Sequence, residues 1–272
     1  IGGFSSSRAA YTEEPGRWRE ILESMNRVQK KRGPDEEGIF LEKKCGLAHV
    51  RLSIIDLERG RQPMTRRAGG KICTIAYNGE IYNMKALQKD LKRQGVSFTT
   101  DSDTEVILQG YLTEGEGFIK KLNGIFAIAI WDQKKEALYL FRDRAGVKPL
   151  FYTIQGDTLI FSSEIKGLFQ YPGVEAVADR DSLCEIFALG PAKSYGKGVF
   201  RNILEVEGGS RLLWKDGRLR KEQYWQLQSR PHEDSFEETV EKTSWLVEDA
   251  VKLQVLSDMP ICTFLSRGGD SS

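Results

Sequence analysis

The sequence predicts an α+β sandwich, because short apolar runs joined by tight polar turns are interrupted, rather than regularly alternated, by stretches of helical period. Strand-like runs fall at 46–55, 72–77, 125–131, 137–141, 150–154 and 158–161. Polar turns at 132–136 and at Gln155-Gly156-Asp157 join their neighbours as hairpins. With 272 residues, 40% of them hydrophobic and only 8 Pro, the chain can bury one large core and has room for part of a second domain.

Along the chain, the first helical stretch is 18–29, where Trp18, Ile21, Leu22, Met25 and Val28 form a core-facing stripe. A charged, turn-rich stretch at 28–38 follows. Further helices are expected at 84–94, 104–112, 164–169 and 181–187. A last hairpin, 209–214 then 217–225 around Asp216-Gly217, leads into the polar segment 226–234. The domain boundary is placed there, giving domains 1–225 and 226–272. A helix at 235–256 and a buried strand at 261–265 then run into Ser266-Arg267-Gly268-Gly269-Asp270-Ser271-Ser272, a strand-then-glycine-loop arrangement suited to phosphate.

Composition excludes several function classes. The 40 Lys and Arg against 39 Asp and Glu leave a net charge of +1, so there is no footprint for nucleic acid or an anionic membrane. The longest clean apolar run, 125–131, is far shorter than the ~20 residues of a membrane span. The first residues hold no signal-peptide core, and a soluble cytoplasmic protein is expected. Cys45, Cys73, Cys184 and Cys262 form no C-x-x-C pair, which argues against a zinc ribbon, a redox dithiol or a disulfide framework. With only His49 and His232, a multi-histidine metal site is excluded and catalysis must manage largely without imidazole.

Hydrolysis of a free amino-acid amide requires a carboxylate clamp, an ammonium acceptor, oxyanion donors, and a nucleophile with a base. Arg51, within His49-Val50-Arg51-Leu52-Ser53-Ile54-Ile55-Asp56, offers a guanidinium for the carboxylate, although taken alone it also reads as a solvated strand-edge charge. Tyr77-Asn78-Gly79-Glu80 ends a strand and starts a helix, where a backbone N–H and the Asn78 amide can face developing negative charge; Asn-Gly alone reads equally as a turn. Asp103 and Glu80 are acceptor-only carboxylates for an ammonium, while Ser102-Asp103-Thr104-Glu105 also carries a helix-capping signature.

The joint order of these motifs closely resembles the class II glutamine amidotransferases, and within them the asparagine synthetases. Carrying the resemblance are Arg32-Gly33-Pro34-Asp35, Arg51 to Asp56 with Gln62-Pro63, Tyr77 to Glu80, Ser102 to Glu105, and Leu122-Asn123-Gly124-Ile125-Phe126-Ala127. It continues through Arg142-Asp143-Arg144-Ala145-Gly146-Val147-Lys148-Pro149-Leu150, Ser163-Glu164-Ile165-Lys166 and Ser257-Asp258-Met259-Pro260. The resemblance implies a four-layer αββα sandwich of the N-terminal-nucleophile hydrolase type, followed by the start of an α/β ATP-pyrophosphatase domain. It further implies that Arg51 binds the glutamine carboxylate and Asp103 its ammonium, with Glu80 assisting. Asn78 and the Gly79 N–H would form the oxyanion hole, and main-chain groups of Leu52, Ser53 and Ile54 would line the site.

The implied nucleophile is an N-terminal Cys whose own α-amine serves as base. Ile1 matches the family's third position, so the expectation is that this Cys lies just before the chain and that the chain as written does not hydrolyse glutamine. Lys31 replaces a His frequent in relatives. At the other end, Leu265, Ser266, Gly268, Asp270, Ser271 and Ser272 fit a pyrophosphate loop for ATP, whereas Arg267 stands where a Gly is expected and Gly269 where an apolar residue is. For the parent enzyme the resemblance implies ATP and Mg2+ as requirements and glutamine, aspartate and ATP as substrates. It also implies an acyl-adenylate intermediate and a homodimer. Two alternatives stay open: another carboxylate acceptor, or a catalytically dead glutamine-binding module.

Overall fold

Strand alternation divides the apolar residues of this chain among three separate cores. The computed structural model describes residues 1–52, 60–190 and 194–255. Among the described residues, twelve strands form two antiparallel sheets of six. The first sheet has β1 (Gly2–Ser6) at its centre, flanked by β3 (Cys45–Arg51) and then β2 (Glu36–Leu41) on one side. On the other side lie β9 (Thr158–Ser162), β8 (Phe151–Gln155) and β10 (Leu204–Glu205). The second sheet runs β12 (Arg218–Gln223), β11 (Ser210–Lys215), β7 (Ala137–Arg142), β6 (Gly124–Asp132), β5 (Lys71–Ile81), β4 (Met64–Ala68).

Successive side chains of a strand point to opposite faces. In β6, Ala127, Ala129 and Trp131 therefore join Leu138 and Leu140 of β7 against Leu47, Leu159 and Phe161 of the first sheet, a core between the sheets that also holds Ile1. The intervening Phe126, Ile128 and Ile130 face the other way, against Leu87 and Leu91 of α2 (Met84–Arg93) and Val106 and Ile107 of α3 (Asp103–Glu114). On the outer face of the first sheet, Phe4, Ala48 and Ile160 pack with Leu22 and Met25 of α1 (Pro15–Gln29) and Leu168 of α4 (Ile165–Leu168). Helix, sheet, sheet and helix stack as four layers, the αββα arrangement expected from the sequence. Two helices add to this frame: α5 (Arg180–Leu189), and α6 (Phe236–Gln254), which opens with a capping box between Ser235 and Glu238.

Three local expectations require correction. The stretch at 28–38 is not simply turn: α1 runs to Gln29, a 3-10 turn spans Lys30–Arg32, and β2 begins at Glu36. The strand predicted to end at Tyr77 continues to Ile81, with Asn78, Gly79 and Glu80 paired to Ala127, Phe126 and Ile125. Asn-Gly does not turn here because β5 and β6 stay paired and approach closely at this point: a Cβ on Gly79 would lie 2.1 Å from the Ile125 carbonyl oxygen. Finally, Gly2-Gly3-Phe4-Ser5-Ser6 is weak in strand propensity yet forms the central strand β1.

Candidate active site

At the end of the two sheets a cleft of about 310 Å³ opens between β3, β5 and the start of α3. Arg51, Leu52, Asn78, Gly79, Glu80 and Asp103, six of the residues singled out from sequence, line it together. Ser53 and Ile54 lie outside the described residues, as do the predicted strand 261–265 and the loop residues Leu265, Ser266, Arg267, Gly268, Asp270, Ser271 and Ser272.

Strand β5 supplies the donors. Phe126, which faces Gly79, spends its backbone N–H on Asp143 Oδ2 (3.2 Å) and accepts from the Asp143 N–H (2.9 Å). Gly79 and Phe126 are therefore a non-hydrogen-bonded pair, and the Gly79 N–H points to the opposite edge of β5. Tyr77 and Ile81 donate from that same edge, to Gln62 Oε1 (2.6 Å) and Asp103 Oδ2 (3.4 Å). β4 pairs only as far as Met64 with Ile75, so the Gly79 N–H between those two donors faces the cleft. Asn78 alternates to the inner face, the side of Ala76 and of the layer holding Ile1. Its Nδ2 is buried and takes no partner among the described residues. A buried amide donor left unpaired costs about 1–3 kcal/mol, which a ligand oxygen would recover.

Arg51 is not a solvated edge charge. It is buried, and its Nη1 donates to Glu36 Oε2 at 2.8 Å, so β2 orients the guanidinium that β3 carries into the cleft. Glu36 also meets Arg61 at 3.4 Å. Asp103 is the first residue of α3, after Ser102, whose Oγ caps the helix by accepting from Glu105 N (3.3 Å). Burial pushes its carboxyl up to about 6, against hydrogen bonds from Tyr77, Ile81 and Thr104 that act the other way. Burial, then the charge of Asp103, raises Tyr77 well above the usual phenol range, so its hydroxyl is a neutral donor to Asp103 Oδ2 at 2.7 Å. Burial pushes His49 down to about 3; the neutral ring donates from Nε2 to the Tyr77 carbonyl (2.9 Å).

Sequence reasoning assigned no role to His49, Gln62, Tyr77 or Lys148, which also line the cleft. Lys148 is placed by its backbone. Asp143 Oδ2 accepts its N–H (3.0 Å), Arg142 Nε donates to its carbonyl (2.8 Å), and Arg142 is itself held by half-buried Glu205 at 3.0 Å. The signal for this loop was the Arg142-to-Leu150 motif; His49 and Gln62 fall within or beside the Arg51 motif, but nothing local shows that they bond the backbone of Tyr77, 28 and 15 residues away.

An αββα sandwich with a cleft lined by a buried guanidinium and a buried carboxylate has the framework of the N-terminal-nucleophile hydrolase fold. The profile of the family described as "Glutamine amidotransferase domain" matches residues 4–225, and the chain belongs to that family, the class II glutamine amidotransferases. Over 254 residues it is 43% identical to asparagine synthetase [glutamine-hydrolyzing] 3 of Bacillus subtilis, a match spanning 93% of this chain and 41% of that protein. Over 275 residues it is 38% identical to putative asparagine synthetase [glutamine-hydrolyzing] 2 of Methanocaldococcus jannaschii, covering 93% of this chain and 53% of the relative. The chain thus spans about half or less of these relatives. Among solved structures, glutamine phosphoribosylpyrophosphate amidotransferase from B. subtilis superposes with a TM-score of 0.59 at 20% identity, over 83% of this chain and 49% of that one, a likeness of fold. Among the described residues no helix is long and apolar enough to cross a membrane.

Proposed function

We propose that the cleft binds L-glutamine and is the glutaminase site of a glutamine-dependent asparagine synthetase. The observation that supports this most is the buried Asn78 Nδ2, which takes no partner among the described residues, next to the Gly79 N–H on the edge of β5 beyond the reach of β4; both residues line the cleft. Such donors stabilise an amide oxygen as it gains negative charge on thiol attack. Arg51 clamps the α-carboxylate, Asp103 accepts the α-ammonium with Glu80 assisting, and Leu52 adds to the lining.

The nucleophile in this reading is an N-terminal Cys reaching the site from the side of Ile1. Ile1 is buried between the sheets, tied to Ser163 through its nitrogen (3.2 Å to Oγ) and its carbonyl (2.8 Å from Ser163 N). Thiolate attack on the side-chain amide would release ammonia, and water would free glutamate from the thioester. In the second domain, beginning at 226 and including α6, ATP with Mg2+ would convert the aspartate β-carboxylate to an acyl adenylate, and ammonia would displace AMP. A closed path between the sites preserves ammonia in its unprotonated, nucleophilic form. A cytoplasmic homodimer completes the reading.

A different acceptor is kept as a second reading, since the chain is also 32% identical over 253 residues to a protein named Amidase chry2 of Gibberella zeae. Ammonia-coupled assays of the full-length protein with aspartate and alternative carboxylates separate the two.

The binding reading is tested by calorimetry with glutamine on this chain: Arg51→Ala is expected to weaken binding more than tenfold, and unchanged affinity sinks the clamp. Adding Cys-Gly before Ile1 is expected to give ammonia release from glutamine, with Asn78→Ala lowering that rate by about 10²–10³. Tight binding with no ammonia from the extended chain would favour a dead glutamine-binding module.

A further inference from the structure

Tyr77 is almost wholly buried, yet every polar group it has is spent on a different segment of the cleft wall. Its N–H goes to Gln62 Oε1 at 2.6 Å, in the segment leading into β4; its carbonyl accepts from His49 Nε2 of β3 at 2.9 Å; its hydroxyl donates to Asp103 Oδ2 of α3 at 2.7 Å. The residues that follow it are Asn78 and Gly79. We infer that Tyr77 is the positioning residue of the cleft, fixing the donor pair through its main chain and the ammonium-binding carboxylate through its hydroxyl. The inference rests on the glutamine reading above.

The geometry makes this more than core packing. A tyrosine that served only the apolar layer between β5 and the helices would be replaceable by phenylalanine, since its ring lies among Ile75, Ile107 and Phe126. The hydroxyl instead reaches the one carboxylate at the head of α3 that faces the cleft, and holds its rotation with the Ile81 N–H at 3.4 Å. On the main chain, a neutral His49 has one N–H for the Tyr77 carbonyl, so backbone twist at 77 and hence the aim of Asn78 and Gly79 is set from two sides. The charged or titratable groups around Asp103 are Tyr77 and Glu80 on β5, His49 and Arg51 across on β3, Arg32 on the 3-10 turn before β2, Lys148 on the loop after β7, and Glu105 on its own helix, which faces away. Of these only Tyr77 is hydrogen-bonded to it.

The experiment is glutamine calorimetry on this chain as a function of pH, with melting temperature followed in parallel. Tyr77→Phe is expected to weaken binding about tenfold at pH 7.5, the cost of a charge-assisted hydrogen bond, and to move the acid limb of binding to higher pH. Asp103→Asn should abolish the limb along with tight binding. If Asp103→Asn binds normally, the ammonium role and the glutamine reading of this carboxylate fail. If Asp103→Asn loses binding while Tyr77→Phe keeps both affinity and limb, the Tyr77 inference alone fails. Equal loss of affinity with an unmoved limb also overturns it, because that is what loosened packing would give. Should the Phe variant not fold, 3-fluorotyrosine at position 77, a stronger donor of nearly the same volume, is expected to move the limb to lower pH, and an unmoved limb overturns the inference.

Discussion

Two acids in the first turn of α3, Asp103 and Glu105, are both buried but are treated in opposite ways. Glu105 points away from the cleft and collects donors from Thr99 (N and Oγ1), Thr100 (N and Oγ1) and Arg66 Nε at 2.6–3.2 Å. Burial pushes its carboxyl up, but the hydrogen bonds of Arg66 and Thr100 outweigh this and hold it below the usual carboxylate range. Asp103 has less: a phenol hydroxyl, a long bond from Ile81 N and the backbone N–H of Thr104, and burial wins, to about 6. A charge that serves the fold is saturated with partners. A charge left short of them is open to a ligand, which under the glutamine proposal is the α-ammonium.

The comparison breaks if the two acids respond alike to removal. Glu105→Ala carries the largest expected effect. It strips Arg66 of its carboxylate and leaves the Thr99 and Thr100 N–H groups unpaired, a loss of about 3–4 kcal/mol, readable as a shift in the urea midpoint. A change below about 1 kcal/mol would show that the anchor is ornamental.

Asp103→Asn should do the reverse to the free protein. A carboxyl whose folded pKa lies near 6 against an ordinary 3.8 carries stability below about pH 4 that is lost as pH rises through 6. At pH 7 the native chain therefore holds a costly ionised group, and the amide variant should be more stable by about 3 kcal/mol. The two unfolding curves should converge at pH 3.5. Equal stability at both pH values would mean that Asp103 is as well compensated as Glu105.

Much of this contrast could not be read from the sequence, for reasons that lie in particular residues. The cleft residues of β3, β5 and α3 were legible because each sits in a contiguous motif whose order along the chain is distinctive. The sandwich was legible from alternation in 125–131 and 137–141, which the structure resolves into inner and outer faces. β1 was not, since Gly2-Gly3 weakens the strand signal and only pairing on both sides, with β3 and β9, makes it a strand. The continuation of β5 past Tyr77 was masked by Asn-Gly, a turn signal overridden by close approach to β6. The division of labour between Asp103 and Glu105 depends on donors from Thr99, Arg66 and Tyr77, two of them in other strands, and no local pattern encodes which acid faces the cleft.

Ser102 separates the two roles most finely, because it caps the helix that carries both acids. Its Oγ accepts from Glu105 N at 3.3 Å, but the side chain of Glu105 does not return to close a capping box; it is taken by Thr99, Thr100 and Arg66. Ser102→Ala should therefore cost only the cap, about 1 kcal/mol, seen as a modest fall in melting temperature. Asp103 follows Ser102 directly, yet its carboxylate is held by Tyr77 and Ile81 rather than by the cap, so glutamine affinity should change less than about threefold, under 1 kcal/mol. A tenfold loss of affinity in this variant, with the fold otherwise intact, would move control of Asp103 from β5 to the helix terminus and take with it the central place given to Tyr77.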